Sequence, residues 1–196
     1  MALEDLAMCR AEPNCTVLYP CDAVEAKKAT LAAAKTDTPV YLRLAREKTP
    51  IVTTEETPFE IGKGQVLYRP QGIAAVAIIA TGSLVANALR TAADLEKKGI
   101  KAIVANIHTI KPIDTELLIA LAKETKAIVT VEEHQRIGGL GGAVAEVLAS
   151  AYPTHIEFVG VHDEFGQSGT PNQLVEHYGM GRDGIASAVM KVLERK

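Results

Sequence analysis

The strongest constraint on the fold is a run of seven apolar residues, Ala74 to Ala80, followed at once by Thr81-Gly82-Ser83. Such a run has no polar side, so a strand built from it needs cover on both faces, as in a parallel sheet between helices. It is far shorter than the roughly 20 residues of a membrane span. The segment behind it changes period. Leu84, Val85, Ala88, Leu89, Ala92 and Leu95 form one helical face, and Gly99 provides a left-handed stop. Strand, tight turn and helix in this order predict a strand-helix-strand unit.

The pattern repeats along the chain. Strands are predicted at Gln65–Tyr68, Ala74–Ala80, Ala102–Ile107, Ala127–Val131 and Ile156–Val161. Helices fill the gaps, with starts at Asp114 and at Thr170-Pro171, and a last amphipathic helix carries Ile185, Val189, Val192 and Leu193. Upstream, Leu3–Arg10 is predicted helical and Thr16–Tyr19 a short strand. Asp22 is a helix N-cap with Glu25 as its capping-box partner, and Val40–Leu44 is a second strand. Residues 47–64 break the pattern with Pro50, Pro58, Gly62 and a Thr-Thr-Glu-Glu-Thr run, and read as a linker. The expectation is two units, residues 1–46 and 65–196, the second a three-layer α/β sandwich on a mostly parallel five-stranded sheet.

Composition narrows the function. The chain has 196 residues, with 21 Lys+Arg against 24 Asp+Glu, a net charge of -3. A nucleic-acid binder needs a basic surplus, and aromatics are only 4%, too few for base-stacking platforms. No nucleic-acid or membrane partner is expected. Met1-Ala2-Leu3-Glu4-Asp5 lacks the basic lead and apolar core of a signal peptide. Cys9, Cys15 and Cys21 have neither disulfide nor zinc spacing and read as buried small hydrophobes, from which a reduced, cytoplasmic compartment is expected.

Chemistry in open α/β sheets sits beyond the carboxyl ends of the strands. Four segments qualify: Thr81-Gly82-Ser83, His108-Thr109, Glu132-Glu133-His134, and the loop Gly138-Gly139-Leu140-Gly141-Gly142. The loop departs from the dinucleotide fingerprint, because the third glycine would fall at Val144. It reads better as a tight turn. Strand alternation keeps Glu132, Glu133 and His134 from converging on one face. Arg46 follows a strand and precedes the linker, where a guanidinium can clamp a phosphate through paired hydrogen bonds or remain a solvated surface arginine.

Several blocks resemble transketolase. Leu3 to Met8, Pro13-Asn14, Tyr19-Pro20, Asp22 to Glu25 and Pro39 to Arg43 are similar to the end of its pyrimidine-binding domain. Thr109 to Asp114, Val131 to His134 with the glycine loop, and Phe165 to Gly169 resemble its C-terminal domain. The order matches along the whole chain and most resembles the C-terminal section of split-type transketolases.

The resemblance implies a part of an enzyme that transfers a two-carbon ketol unit between phosphorylated sugars, as in the pentose phosphate pathway, with thiamine diphosphate and Mg2+ or Ca2+. Its cofactor, metal and sugar-contacting residues belong to segments outside this sequence, so no catalytic, cofactor or metal residue is expected here and the isolated chain is expected to be inactive. Arg46 matches the arginine that holds the substrate phosphate. The family's C-terminal domain contributes to a homodimer, which makes Glu132, Glu133, His134, Gly138, Gly139, Gly141 and Gly142 candidate interface residues. The expected partners are a second copy, the missing N-terminal transketolase segment and phosphorylated sugars. Alternatives are a fragment of a 1-deoxy-D-xylulose-5-phosphate synthase or of a 2-oxo acid dehydrogenase beta subunit, and a non-catalytic oligomerisation module.

Overall fold

In a computed structural model, which describes residues 3–196, the apolar runs form one sheet of the larger lobe. Its strands are β3 (Gln65–Tyr68), β4 (Val76–Ala80), β5 (Ala102–Asn106), β7 (Ala127–Gln135) and β8 (His155–Val161), in the order β3-β5-β4-β7-β8. Only β3 runs antiparallel to its neighbour. Residues alternate between two cores, as the pleat requires. Val76, Ile78 and Ala80 face α3 (Val85–Lys97) and α7 (Arg182–Glu194). Ala77 and Ile79 face α4 (Thr115–Thr125) and α5 (Leu140–Ala151). Each fully buried Ile, Leu or Val contributes roughly 1.5–3 kcal/mol, so central β4, buried throughout, anchors both layers.

Local signals act as their chemistry dictates. Asp114 accepts from Leu117 N at 3.0 Å to start α4. Thr170 precedes α6 (Pro171–His177), and Gln173 Oε1 accepts from Thr170 N at 3.1 Å. Asp22 caps α2 (Ala23–Ala33) through Glu25 N at 2.9 Å. Glu25 reaches back one residue further than a capping box does, to Cys21 N at 2.7 Å.

The smaller lobe holds α1 (Asp5–Ala11), β1 (Thr16–Leu18), α2 and β2 (Val40–Leu42). Its sheet has the order β2-β1-β6, and β6 (Thr109–Lys111) comes from the larger lobe, antiparallel to β1. This crossing was not expected from the sequence. Residues 47–64 contain no helix or strand but are fastened to α2. Asp22 accepts from Val52 N and Thr53 N at 2.8 and 2.7 Å, and Lys28 Nζ donates to the carbonyls of Thr54, Glu55 and Thr57. Among the described residues no helix is long and apolar enough to cross a membrane. Met1 and Ala2, which open the acidic start, lie outside the described residues.

Candidate functional site

The chain leaves β4 toward β5 on one side and later returns to β7 on the other. The carboxyl ends of β4 and β7 therefore flank the switch point where open α/β sheets bind ligands. Here that crevice is filled from within. Tyr19, buried at the end of β1, lies against Gly82 so closely that a Cβ there would sit 2.2 Å from its ring. Gly82 also has φ +59°, which favours glycine. The Tyr19 hydroxyl is 3.2 Å from Ser83 Oγ and donates at 3.4 Å to Glu133, which also accepts from Ser83 Oγ. Burial, then the Glu133 charge, pushes the Tyr19 phenol up.

Arg43 locks this arrangement. Its Nε is 2.9 Å from Asp5 Oδ2, its Nη1 donates to the Glu133 carbonyl at 2.7 Å, and its guanidinium lies 4.5 Å over the Tyr19 ring. Sequence reading favoured Arg46 and passed over Arg43. Arg46 stands in the bend after β2 with an exposed side chain, free to meet a ligand from solvent. Nothing in the residue types separates the two arginines; only the packing of Tyr19 does.

The glycine loop is also filled by the protein itself. Glu132, buried on β7, accepts from Leu140 N at 2.6 Å and Gly141 N at 2.8 Å, at the positive end of α5. A Cβ on Gly139 would lie 2.0 Å from the Glu132 carboxyl group, so the glycine makes room for an internal side chain rather than a phosphate. The loop proper ends at Gly139, because Leu140, Gly141 and Gly142 already form the first turn of α5. Strand alternation places Glu132 and His134 together and sends Glu133 to the Tyr19 side. His134 Nδ1 donates to the Gln135 carbonyl at 2.6 Å and Nε2 accepts from Ala7 N at 3.4 Å, so the ring is neutral. Burial lowers its pKa accordingly.

Arg10 of α1 fastens the same turn, donating to the carbonyls of Gly138 and Gly139 and pairing with Glu146 at 2.7 Å. The segment expected at a subunit contact is thus covered by the chain's own α1. Glu132, His134, Gly139 and Gly141 are buried within the protomer, whereas Arg136 and Ile137 are exposed.

Burial raises the Glu132 pKa to about 7 although both amides favour its ionised form. The unfolded carboxyl ionises near the ordinary value of about 4.3. Above that pH the folded chain holds a proton that the unfolded chain has lost, so stability falls as pH rises toward 7. The loss should be on the order of 1 kcal/mol per pH unit between about pH 5 and 6.5. Glu132→Gln should remove this part of the slope in urea unfolding. Equal slopes for the two proteins would dismiss Glu132 as the titrating group.

His108 is buried, stacks on Phe59 at 4.2 Å between centroids and has its pKa lowered to about 4 by burial. Asn106 donates to Glu25 at 2.7 Å across the seam. Of the cysteines only Cys21 is buried; Cys9 and Cys15 are half-buried at the surface of the small lobe, contrary to expectation. Among the described residues no three His, Cys, Asp or Glu side chains are grouped to hold a metal ion. A surface hollow of about 410 Å³ is lined by Lys126, Tyr152, His155 and Lys196. It lies where α4, α5 and α7 end, and those lysines complement the negative helix ends.

Comparison with known proteins gives the following. The family model described as Transketolase, C-terminal domain matches residues 62–185, and Transketolase, pyrimidine binding domain matches residues 1–52. The chain is 40% identical, over all of its length, to 60% of the 6-deoxy-6-sulfo-D-fructose transketolase subunit of a Clostridium species. It is 33% identical, over 99% of its length, to 61% of an apulose-4-phosphate transketolase subunit of Phocaeicola vulgatus. A solved structure named split gene transketolase, inactive beta4 tetramer, superposes with a TM-score of 0.94 at 45% identity, over 99% of this chain and 63% of that one. The chain thus spans about 60% of the length of these relatives.

Proposed function

The chain belongs to the transketolase family, and from that premise we propose that it serves as the C-terminal section of a ketol transferase completed by further polypeptide. The supporting observation is that both family models match in order along one chain that superposes closely on a split-gene transketolase. Thiamine diphosphate supplies the carbanion chemistry in this family. The residues present do not fit it. Tyr19 fills the switch-point crevice, Glu132 fills the α5 N-terminus, and among the described residues no three His, Cys, Asp or Glu side chains are grouped to hold a metal ion. In this reading the cofactor and its Mg2+ or Ca2+ are held by the completing polypeptide.

In this reading Arg46 holds the charged end of the substrate. Two relatives are named for a sulfo sugar and for a sugar phosphate. Sulfonate and phosphate are both tetrahedral oxyanions that a planar guanidinium grips through paired hydrogen bonds. The assembled enzyme is a cytoplasmic homodimer of such units, acting on sugars of the pentose phosphate type. Of the Glu132–Gly142 segment, Arg136 and Ile137 are the side chains exposed enough to meet a second copy.

Calorimetric titration of the isolated chain with thiamine diphosphate and Mg2+ should give no one-site heat at micromolar concentration. The same chain, joined behind the part of the Clostridium relative that lies outside the match and mixed with the other subunit of that relative's enzyme, should transfer ketol units. Micromolar binding by the chain alone would overturn this division of labour. A folded, cofactor-loaded assembly of the two subunits without transfer would favour a non-catalytic module.

A further inference from the structure

Arg46 stands on a stretch of chain that is not held from within. Among the described residues, no hydrogen bond or ion pair involves residues 44–51. The stretch contains no helix or strand, and most of its side chains are exposed. Its course is therefore set by the two points at which it is fastened. At the near end Arg43 N donates to Leu18 O at 2.9 Å, and the Arg43 side chain is enclosed against Asp5. At the far end the Val52 and Thr53 amides donate to Asp22 Oδ2 at 2.8 and 2.7 Å, and the Thr53 hydroxyl donates to Asp22 Oδ1 at 2.8 Å.

Asp22 and Thr53 are 4% and 3% exposed, so these bonds are shielded from water. Lys28 grips the carbonyls of Thr54, Glu55 and Thr57, one step further from Arg46, and its bonds to Thr54 and Glu55 are exposed. Asp22 is thus the inner latch. Its carboxylate serves two ends at once. Oδ1 caps α2 through Glu25 N, and Oδ2 takes the two amides of the far end. Burial alone would raise the Asp22 pKa, but the bonds from Glu25, Val52 and Thr53 outweigh it and lower it. The surroundings are built for the ionised group.

We propose that Asp22 is a positioning residue for Arg46: by holding Val52 and Thr53 it fixes the loop that presents the guanidinium to the charged end of the substrate. This rests on the proposed role of Arg46. Paired hydrogen bonds to a tetrahedral oxyanion need the planar guanidinium in one place and at one angle. A misplacement of about 1 Å can cost about a hundredfold in rate. A loop tied at both ends keeps few conformations, and freeing one end restores many. Asp22 acts only through the loop, because both its oxygens are taken by the chain's own donors.

Asp22→Asn separates the cap from the latch. Asparagine caps helices about as well as aspartate, so α2 keeps its start through the amide oxygen. The NH2 group in place of the other oxygen then faces two N–H donors. In the assembly of the Clostridium fusion with its other subunit, Asp22→Asn should raise KM about three- to tenfold for sugars ending in phosphate or sulfonate, with kcat and uncharged sugars nearly unchanged. In an Arg46→Ala background it should have no further effect, since the group it positions is gone. A residue that merely supports the fold would impair both kinds of sugar and add to Arg46→Ala. Thr53→Val removes one donor to the latch at nearly constant volume, and should shift KM the same way by about twofold; it carries the cycle if Asp22→Asn does not fold. In the chain alone, the 15N heteronuclear NOE of Leu44 to Thr49 reads the latch without turnover and should fall in Asp22→Asn. Unchanged values overturn the proposal. So does a selective loss in Arg46→Ala that neither folded variant shares, which leaves the role of Arg46 standing. No selective loss in Arg46→Ala itself sinks that role, and the positioning with it.

Discussion

Replacing Arg43 with alanine is expected to lower the unfolding free energy by about 3–5 kcal/mol, the usual cost of removing one partner of a buried ion pair. Arg43 and Asp5 are both largely enclosed, at 9% and 12% side-chain exposure. Without the guanidinium, Asp5 keeps only the Tyr41 hydroxyl at 2.7 Å, and its Oδ1 already has no hydrogen-bond partner. The Glu133 carbonyl loses its donor and the Tyr19 ring loses its cation. Domains of this size are stable by about 5–15 kcal/mol, so the loss is a third or more of the total. Urea unfolding should show a lower midpoint at an unchanged slope. Arg43→Lys should recover only part, because an ammonium lacks the planar fork and the stacking face. A loss below about 1 kcal/mol for Arg43→Ala would show that the seam is held by its apolar contacts instead.

In the complete enzyme, Arg46→Ala should lower kcat/KM about tenfold to a hundredfold for sugars ending in phosphate or sulfonate. A charge-assisted hydrogen bond contributes about 1.5–3 kcal/mol, and about 1.4 kcal/mol is a factor of ten. Uncharged sugars should be almost unaffected. The side chain is exposed after β2, so the variant should fold normally. Equal losses on charged and uncharged substrates would make Arg46 a structural residue.

Much of the architecture was legible because it depends on local pattern. Ala74–Ala80 has no polar side and became the sheet's centre. Asp22, Asp114 and Thr170 start helices through bonds that span three residues, a distance a sequence shows directly. Alternation correctly separated Glu133 from Glu132 and His134. The β1–β6 pairing was not legible, since it joins residues about 90 positions apart and leaves no periodic mark near Thr109–Lys111. The same holds for Tyr19 in the crevice and for the Glu132 carboxyl group in the glycine turn.

The sequence by itself determined the family, the strand-helix alternation, the two-faced core and the glycines at which a tight approach is possible. Those follow from hydrophobic period and backbone steric freedom, which each residue carries with it. Only the tertiary structure decided what makes the approach. Gly82 and Gly139 announce close contact, but a ring at one and a carboxylate at the other come from β1 and β7 through the fold. It likewise decided that Arg43 is enclosed and Arg46 is free, three residues apart and of one chemistry. The physical reason is that burial and charge pairing belong to the space between elements, and a residue's type does not say which neighbours will share that space.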